Sequence, residues 1–267
     1  MSGRLRIAWL TTGRGPGSFG ALEYALRAVD EGLPVEIATV FLNRDPGEAE
    51  PTDRLMAMVR TRGIALETLS SIAFRKARGG KISKPGEPLQ PWRREYDEAV
   101  AAKLSRHQFD LGVMFGYMLI ATEPLYSAYR FINDHPALPD GPIGTWQECI
   151  LELMRTGARE SGCMWHRVTG DVDRGPAFSY CQYPIFDDAT RPLWLSYIST
   201  LSRPQPTPPE ETLLFQELRR RGVERERPLM VETLRALAEG SMTLDGTSGP
   251  VDLTAAVEAI VASATRN

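Results

Sequence analysis

The sequence has few of the features that mark membrane, secreted or nucleic-acid-binding proteins. Its 267 residues include only three cysteines, Cys149, Cys163 and Cys181, which are too few and too scattered for a disulfide framework or a zinc site. No apolar run approaches the about 20 residues that a membrane helix needs. The short apolar stretch near the N-terminus is typical of a β-strand and not of a signal peptide.

Positive charge is not in excess either, because 31 Lys and Arg residues face 34 Asp and Glu residues. This balance argues against broad electrostatic binding of nucleic acid. With so few cysteines, we expect a reducing, cytoplasmic location. Without a long apolar run, we expect no membrane partner. The apolar fraction of 42% and the charged fraction of 24% are those of an ordinary globular protein.

Apolar runs alternate with segments of helical spacing through the first half of the chain. Such alternation indicates a parallel sheet with right-handed crossovers. We therefore predict an α/β fold, with a mostly parallel twisted sheet flanked by helices. The predicted strands cover residues 5–11, 35–42, 65–69, 111–115, 131–133, 161–168 and 177–183, and the predicted helices 21–31, 55–59, 95–104 and 144–156.

Two segments interrupt this alternation. Residues 70–92 are rich in Lys, Arg, Gly and Pro and are predicted to be an exposed loop, with a solvated insertion favoured over a lid. Residues 203–209 are too rich in proline to lie inside a helix. Helical patterns follow at residues 210–221, 230–238 and 253–263. We predict an α/β domain over residues 1–200 and a helical C-terminal extension over residues 201–267.

A glycine-rich loop lies between the first predicted strand and the first predicted helix. It contains Gly13, Gly15, Gly17 and Ser18. Glycines let backbone N–H groups approach an anion, and a helix N-terminus favours negative charge. The loop therefore indicates a phosphate or carboxylate site, although a tight turn without a ligand would use the same glycines. No Gly-Lys-Ser/Thr follows, so it is not a P-loop.

Two further segments carry chemistry-bearing side chains. Asn133 and His135 lie two residues apart at the end of a predicted strand and therefore point to the same side. They can offer an amide donor and a titratable imidazole to one reacting atom, although a histidine with a purely structural role is as good an interpretation. His166 lies near the end of another predicted strand, and Asp171 and Asp173 precede Gly-Pro in what is predicted to be a hairpin turn.

Taken together, these motifs resemble the folate-dependent formyltransferase family, over residues 4–185. Residues 133–139 read Asn-Asp-His-Pro-Ala-Leu-Pro, which matches the family's Asn-x-His-Pro signature. Residues 162–176 match its Gly-x-Thr-x-His…Asp-x-Gly-Pro signature, with Met164 in place of the threonine. Residues 115–118, Phe-Gly-Tyr-Met, are similar to the segment that frames the family's pteridine pocket, and residues 93–97 to its Arg-x-x-Tyr-Asp piece.

The resemblance implies transfer of a formyl group from 10-formyltetrahydrofolate, as co-substrate, to an amine, without a metal or a covalent enzyme intermediate. Asn133 and His135 would stabilise the tetrahedral oxyanion, and Asp173 would orient His135 and accept protons. The implied acceptor-binding residues are Gly13, Gly15, Gly17, Ser18 and His166. The implied folate-binding residues are Arg93, Phe115, Gly116, Tyr117, Met118, Ile120 and Asp171.

The resemblance is closest to the branch whose acceptor is phosphoribosylglycinamide, in purine biosynthesis. Phe19 departs from that branch, because an asparagine is expected there. Another acceptor, such as an amino-sugar nucleotide, stays an alternative, as do a formyl-folate hydrolase and a non-catalytic folate-binding relative. The branch acting on tRNA carries a C-terminal β-barrel, whereas the tail of this chain is helical in pattern. Small molecules are thus the expected partners, and a homodimer is left open.

Overall fold

A computed structural model describes residues 3–83, 87–202, 204–205, 207–247 and 249–264. Its eight strands form one mostly parallel sheet in the order β3-β2-β1-β4-β5-β6-β7-β8, with helices between them. The predicted α/β fold class is therefore confirmed. The strands are β1 Leu5–Thr11, β2 Val35–Leu42, β3 Ala65–Thr68, β4 Leu111–Met114, β5 Phe131–His135, β6 Glu160–Arg167, β7 Ala177–Pro184 and β8 Val251–Asp252.

Nine α-helices lie within the described residues. They are α1 Pro16–Asp30, α2 Glu50–Thr61, α3 Ser71–Ala77, α4 Trp92–Leu104, α5 Glu123–Ala128, α6 Trp146–Thr156, α7 Arg191–Leu201, α8 Leu213–Ala238 and α9 Thr254–Ala264. A short 3₁₀ helix, Pro209–Glu211, precedes α8.

The chain divides into two compact units. The first consists of Met1–Asn133, Arg167–Gly175 and Arg235–Leu244, and the second of Asp134–His166, Pro176–Leu234 and Asp245–Asn267. The predicted division at residue 200 stays a prediction.

The first unit is built on parallel pairings of β1 with β2 and β4, of β2 with β3, and of β4 with β5. Almost every residue of β1 is buried, which explains why its sequence is a continuous apolar run. Gly112 of β4 lies directly against Phe131 of β5. A Cβ atom at Gly112 would lie 2.0 Å from the Phe131 ring, so only glycine allows this close pairing.

The second unit contains an antiparallel hairpin of β6 and β7, as the turn residues between them predict. Its helix α6 begins with a complete capping box, because Thr145 Oγ1 accepts from the Glu148 N–H at 3.3 Å and Glu148 Oε2 accepts from the Thr145 N–H at 2.7 Å. The helix ends at Gly157, which has a positive φ of 64°. These local signals set the bounds of α6.

Part of the segment 70–92, predicted to be an exposed loop, is instead helical. Ser70 caps α3 by accepting a hydrogen bond from the Ala73 N–H at 3.0 Å. Phe74 of α3 packs edge-on against Tyr96 of α4, with ring centroids 5.2 Å apart. The prediction of a loop was wrong here because this aromatic contact, which sequence spacing does not reveal, stabilises the short helix. Lys84, in the same segment, lies outside the described residues.

The C-terminal extension differs from the prediction in two ways. The two predicted helices at 210–221 and 230–238 form one helix, α8, with Pro228 inside it. Proline removes one backbone hydrogen bond, but buried neighbours such as Leu229 and Met230 hold the helix together. The extension also contains a strand, β8, which pairs with Ser179 and Tyr180 of β7. Arg203, in the proline-rich segment, lies outside the described residues.

Candidate functional site

The glycine-rich loop and the segment after β4 come together in the first unit. The Thr12 N–H donates to the Gly116 carbonyl oxygen at 3.0 Å, and Thr12 Oγ1 accepts from the Met118 N–H at 3.0 Å. Gly116 has a φ of 64°, and a Cβ atom there would lie 2.5 Å from Ser18 Oγ. Both loops follow the carboxyl ends of parallel strands, where open α/β sheets bind ligands.

The glycine-rich loop leads directly into α1. Gly13 is buried with a φ of 69°. Gly15 occupies the N-cap position and, because it has no side chain, cannot cap the helix with a side-chain hydrogen bond. Gly17 is exposed and Ser18 is half-buried in the first turns. No acidic residue lies in the first turn of α1. The positive end of this helix is thus suited to an anionic group.

The segment after β4 has one buried side and one exposed side. Phe115 is buried and stacks on Trp9, with ring centroids 6.1 Å apart. Tyr117 is also buried, and burial raises the pKa of its hydroxyl. Met118 and Ile120 expose 68% and 43% of their surface. Apolar side chains that are exposed on a loop can pack against a flat heteroaromatic ring.

Helix α4 contacts this segment through the side chains of Arg93 and Asp97. Arg93 is buried, and its Nη2 donates to the Ile120 carbonyl oxygen at 2.5 Å. Asp97, one turn later, accepts from the Thr122 N–H at 2.6 Å and from Thr122 Oγ1 at 2.8 Å through its Oδ2 atom. Burial raises the pKa of Asp97, and the two bonds from Thr122 oppose that shift. The assignment of Arg93 to folate binding stays a prediction.

His135 is buried in the second unit. Its Nε2 lies 2.8 Å from the Pro142 carbonyl oxygen and 3.9 Å from Cys149 Sγ. A carbonyl oxygen only accepts hydrogen bonds, so we assign a proton to Nε2. Cys149 Sγ also lies 3.6 Å from the Pro142 carbonyl oxygen. Cys149 was not predicted as a site residue, because its only signal in the sequence is its place on the buried face of the predicted helix.

His166 lies beside His135 in the second unit. The two imidazole rings are perpendicular, with centroids 6.0 Å apart, and both are buried. The pairing of β6 with β7 shifts register between Trp165 and His166, which is a β-bulge. Bulges often re-aim a side chain next to an active site. The structure thus brings together two of the predicted site residues, His135 and His166.

Asp171 and Asp173 lie in the turn after β6. Asp171 is exposed, whereas Asp173 is half-buried with a left-handed φ of 54°, which is uncommon for a residue other than glycine. A Cβ atom at Gly175 would lie 1.8 Å from the Arg167 carbonyl oxygen, so the turn requires glycine there.

Asn133 of β5 is half-buried and pairs with Met114 of β4. The grouping of Asn133 and His135 with Asp173 stays a prediction.

Membrane-spanning helices and metal-binding side-chain clusters are both absent from the described part of the chain. No helix in it is both long and apolar enough to cross a membrane. Among the same residues, no three or more His, Cys, Asp or Glu side chains are arranged to hold a metal ion. The cytoplasmic location and the mechanism without a metal stay predictions.

A family comparison agrees with this fold and these motifs. The model of the formyl transferase family matches residues 5–192, well over half of the chain. The chain therefore belongs to the formyl transferase family.

Individual relatives are phosphoribosylglycinamide formyltransferases. The one from Mycobacterium tuberculosis (strain ATCC 25618 / H37Rv) is 30% identical over 99 residues, which are 36% of this chain and 45% of that protein. The one from Escherichia coli (strain K12) is 28% identical over 131 residues, 48% of this chain and 52% of that protein. The matches thus span about half the length of these curated relatives.

Solved structures share the fold at lower identity. Glycinamide ribonucleotide transformylase 1 from Symbiobacterium toebii has a TM-score of 0.63 and 24% identity, with 90% of both chains covered. A formyltetrahydrofolate deformylase from Pseudomonas syringae pv. tomato str. DC3000 has a TM-score of 0.58 and 19% identity, with 89% of this chain and 62% of that chain covered. At these identities the likeness shows the fold alone.

Proposed function

We propose that this protein transfers a formyl group from 10-formyltetrahydrofolate to the amine of a small anionic acceptor. The acceptor proposed first is phosphoribosylglycinamide, the substrate named in its curated relatives. The observation that carries the proposal is the placement of His135, which is buried and donates from Nε2 to the Pro142 carbonyl oxygen at 2.8 Å. This bond fixes the tautomer, so Nδ1 is the nitrogen that can take up or release a proton.

The proposed reaction needs only acid–base and oxyanion chemistry. The acceptor amine attacks the formyl carbon, a new C–N bond forms, and a tetrahedral oxyanion develops. Asn133 donates a hydrogen bond to this oxygen, and protonated His135 stabilises its charge. The bond to N10 of the folate then breaks as N10 receives a proton from His135, and Asp173 supplies a carboxylate for the proton that the amine loses.

Folate is proposed to bind along residues 115–120. Exposed Met118 and Ile120 offer apolar contacts, and the adjoining backbone offers hydrogen bonds. The nearby glycine-rich loop is proposed to take the anionic group of the acceptor. The side chain of Phe19 cannot donate a hydrogen bond to that group. The loss of one charge-assisted hydrogen bond costs about 1.5–3 kcal/mol, so we expect a high KM for phosphoribosylglycinamide or a different acceptor.

The deciding experiment is an ultraviolet assay of 10-formyltetrahydrofolate turnover with phosphoribosylglycinamide, an amino-sugar nucleotide and no added amine. We expect turnover that depends on an amine and is lost in His135→Ala but retained in His107→Gln. His107 is a matched control because its Nε2 bonds Glu67 at 3.1 Å. Turnover without any amine would instead indicate a hydrolase. Folate binding without turnover would indicate a non-catalytic relative, and either result would contradict the proposal.

A further inference from the structure

Three cationic side chains line one cavity of about 400 Å³ in the first unit: Arg14, Arg44 and Lys76. We call it the basic cavity. Arg14 comes three residues after β1, Arg44 two residues after β2, and Lys76 lies on α3, which follows β3. These strands are adjacent and parallel in the order β3-β2-β1. The three cations therefore converge at the carboxyl edge of the sheet, where ligands bind in open α/β folds.

The charge in the basic cavity is unbalanced. Glu48 is the only carboxylate among its lining residues, against three cations, although acidic residues outnumber basic ones in the chain as a whole. Neither Arg14 nor Lys76 forms an ion pair or a side-chain hydrogen bond with any residue that the structure describes. The remaining lining residues are Ala49, Ile72 and Ala73. Concave walls concentrate such a field and attract an anion.

Arg44 is held in place before any ligand arrives. Its side chain is only 12% exposed, and its Nη1 donates to the Asn43 carbonyl oxygen at 2.7 Å and to Ser71 Oγ at 2.9 Å. Its Nε lies 3.8 Å from Glu48 Oε2. Among the described residues, Nη2 has no hydrogen-bond partner. A guanidinium fixed in this way loses little conformational entropy on binding an anion.

We propose that the basic cavity binds the phosphate or diphosphate group of a small molecule. A phosphate offers several acceptor oxygens and up to two negative charges. The three cations can donate hydrogen bonds to these oxygens, and their charge exceeds that of the one opposing carboxylate enough to balance the phosphate. In the basic cavity the phosphate is bound by side chains. In the glycine-rich loop, by contrast, an anion is expected to be bound by backbone N–H groups. The group belongs either to the acceptor of the reaction or to a separate phosphorylated ligand. The proposal does not depend on formyl transfer, because binding is measured without turnover.

The test is calorimetric titration of the full chain with inorganic pyrophosphate at low ionic strength. We expect Arg14→Gln and Lys76→Gln each to raise the Kd about tenfold, since each removes one charge-assisted interaction. Glu48→Gln removes the opposing carboxylate and is expected to lower the Kd several-fold. A misfolded variant would not bind more tightly, so this opposite change separates binding from folding. Arg60→Gln, a matched charge change at an exposed residue of α2 that does not line the cavity, should leave the Kd unchanged.

Two results would overturn the proposal: no binding at millimolar pyrophosphate, or equal Kd values in all five proteins. Competition then identifies the source of the phosphate. If pyrophosphate competes with phosphoribosylglycinamide but not with its dephosphorylated riboside, the cavity holds the acceptor's phosphate. If pyrophosphate binds equally well in the presence of saturating phosphoribosylglycinamide, the ligand is a separate phosphorylated molecule.

Discussion

Arg93 of α4 donates a hydrogen bond of 2.5 Å to the carbonyl oxygen of Ile120, in the segment that follows β4. Its guanidinium also lies 5.2 Å from the centre of the Trp92 ring and is buried. One helical turn later, Asp97 holds Thr122 at the far end of the same segment. Residues four apart on α4 thus fix the backbone along which folate is proposed to bind.

This relationship predicts that Arg93 acts on folate through the loop. Arg93→Met should raise the Kd of 5-formyltetrahydrofolate about tenfold, because the Ile120 carbonyl loses a charged donor. The Kd of an analogue without the glutamate should rise by the same factor. Arg94→Gln is the matched control, since Arg94 is exposed and pairs with Glu123 at 2.7 Å. A loss confined to the glutamate-bearing ligand would mean that Arg93 binds the carboxylate directly.

The proposed chemistry predicts large effects at two residues. His135→Ala and Asp173→Asn should each lower kcat by ~10²–10⁴, because each removes an acid–base or electrostatic contribution to the transition state. Circular dichroism and thermal unfolding should show that both variants remain folded. Near-wild-type turnover of either variant would contradict the assignment of the catalytic residues.

Asn43 at the end of β2 should be dispensable for stability. It is 1% exposed, and neither Oδ1 nor Nδ2 has a hydrogen-bond partner among the described residues. Replacement by leucine, which has a similar shape, should raise the free energy of unfolding by about 1–3 kcal/mol, because it removes two buried unsatisfied groups. Thr39→Val is the control, since Thr39 Oγ1 donates to the Ala65 carbonyl oxygen at 3.2 Å. That variant should be destabilised in urea unfolding, and a destabilised Asn43→Leu would refute the prediction.

Acid should weaken a charge network in the second unit. Arg221 of α8 donates to Asp187 Oδ2 at 2.5 Å and to Glu217 Oε1 at 2.9 Å. Hydrogen bonds from Arg220 and Arg221 lower the pKa of Glu217 from 4.5 to about 2, and Arg221 likewise lowers the pKa of Asp187. Because both pKa values fall on folding, the network stabilises the protein above about pH 4.5 and loses this effect as the pH falls towards 2.

The test compares wild type with Arg221→Gln by urea unfolding between pH 6 and pH 2. The two free energies of unfolding should differ by about 1 kcal/mol above pH 5, since the carboxylates are partly exposed, and should converge towards pH 2. Arg155→Gln breaks an exposed pair with Glu152 and should show almost no difference at any pH. A constant difference for Arg221→Gln across this range would show that the network does not titrate as described.

Buried strands were the easiest elements to predict. β1 is buried on both faces along almost its whole length and β2 over its second half, and their sequences are nearly continuous apolar runs. The residues that end β5 and follow β6 were placed correctly at strand ends, and the turn with Asp173 joins an antiparallel hairpin. Family motifs then located the candidate catalytic residues, because such chemistry needs particular side chains at fixed spacing.

Elements that depend on partners far away in the sequence were not predicted. The short helix α5 begins at Glu123, beside Thr122, which is bonded by Asp97 of α4. Strand β8 has two residues and exists only through its pairing with β7. Such short elements carry no periodicity of their own, so their formation depends on tertiary contacts.

The sequence by itself determined the α/β class, most strand positions and the motifs of the formyl transferase family, because hydrophobic periodicity and motif spacing are local properties of the chain. Only the tertiary structure decided that Arg93 faces Ile120, that Cys149 lies beside His135, and that three cations meet in the basic cavity. These side chains come from separate segments, and their distances are set by how strands pair and helices pack. No spacing along the chain encodes such contacts directly.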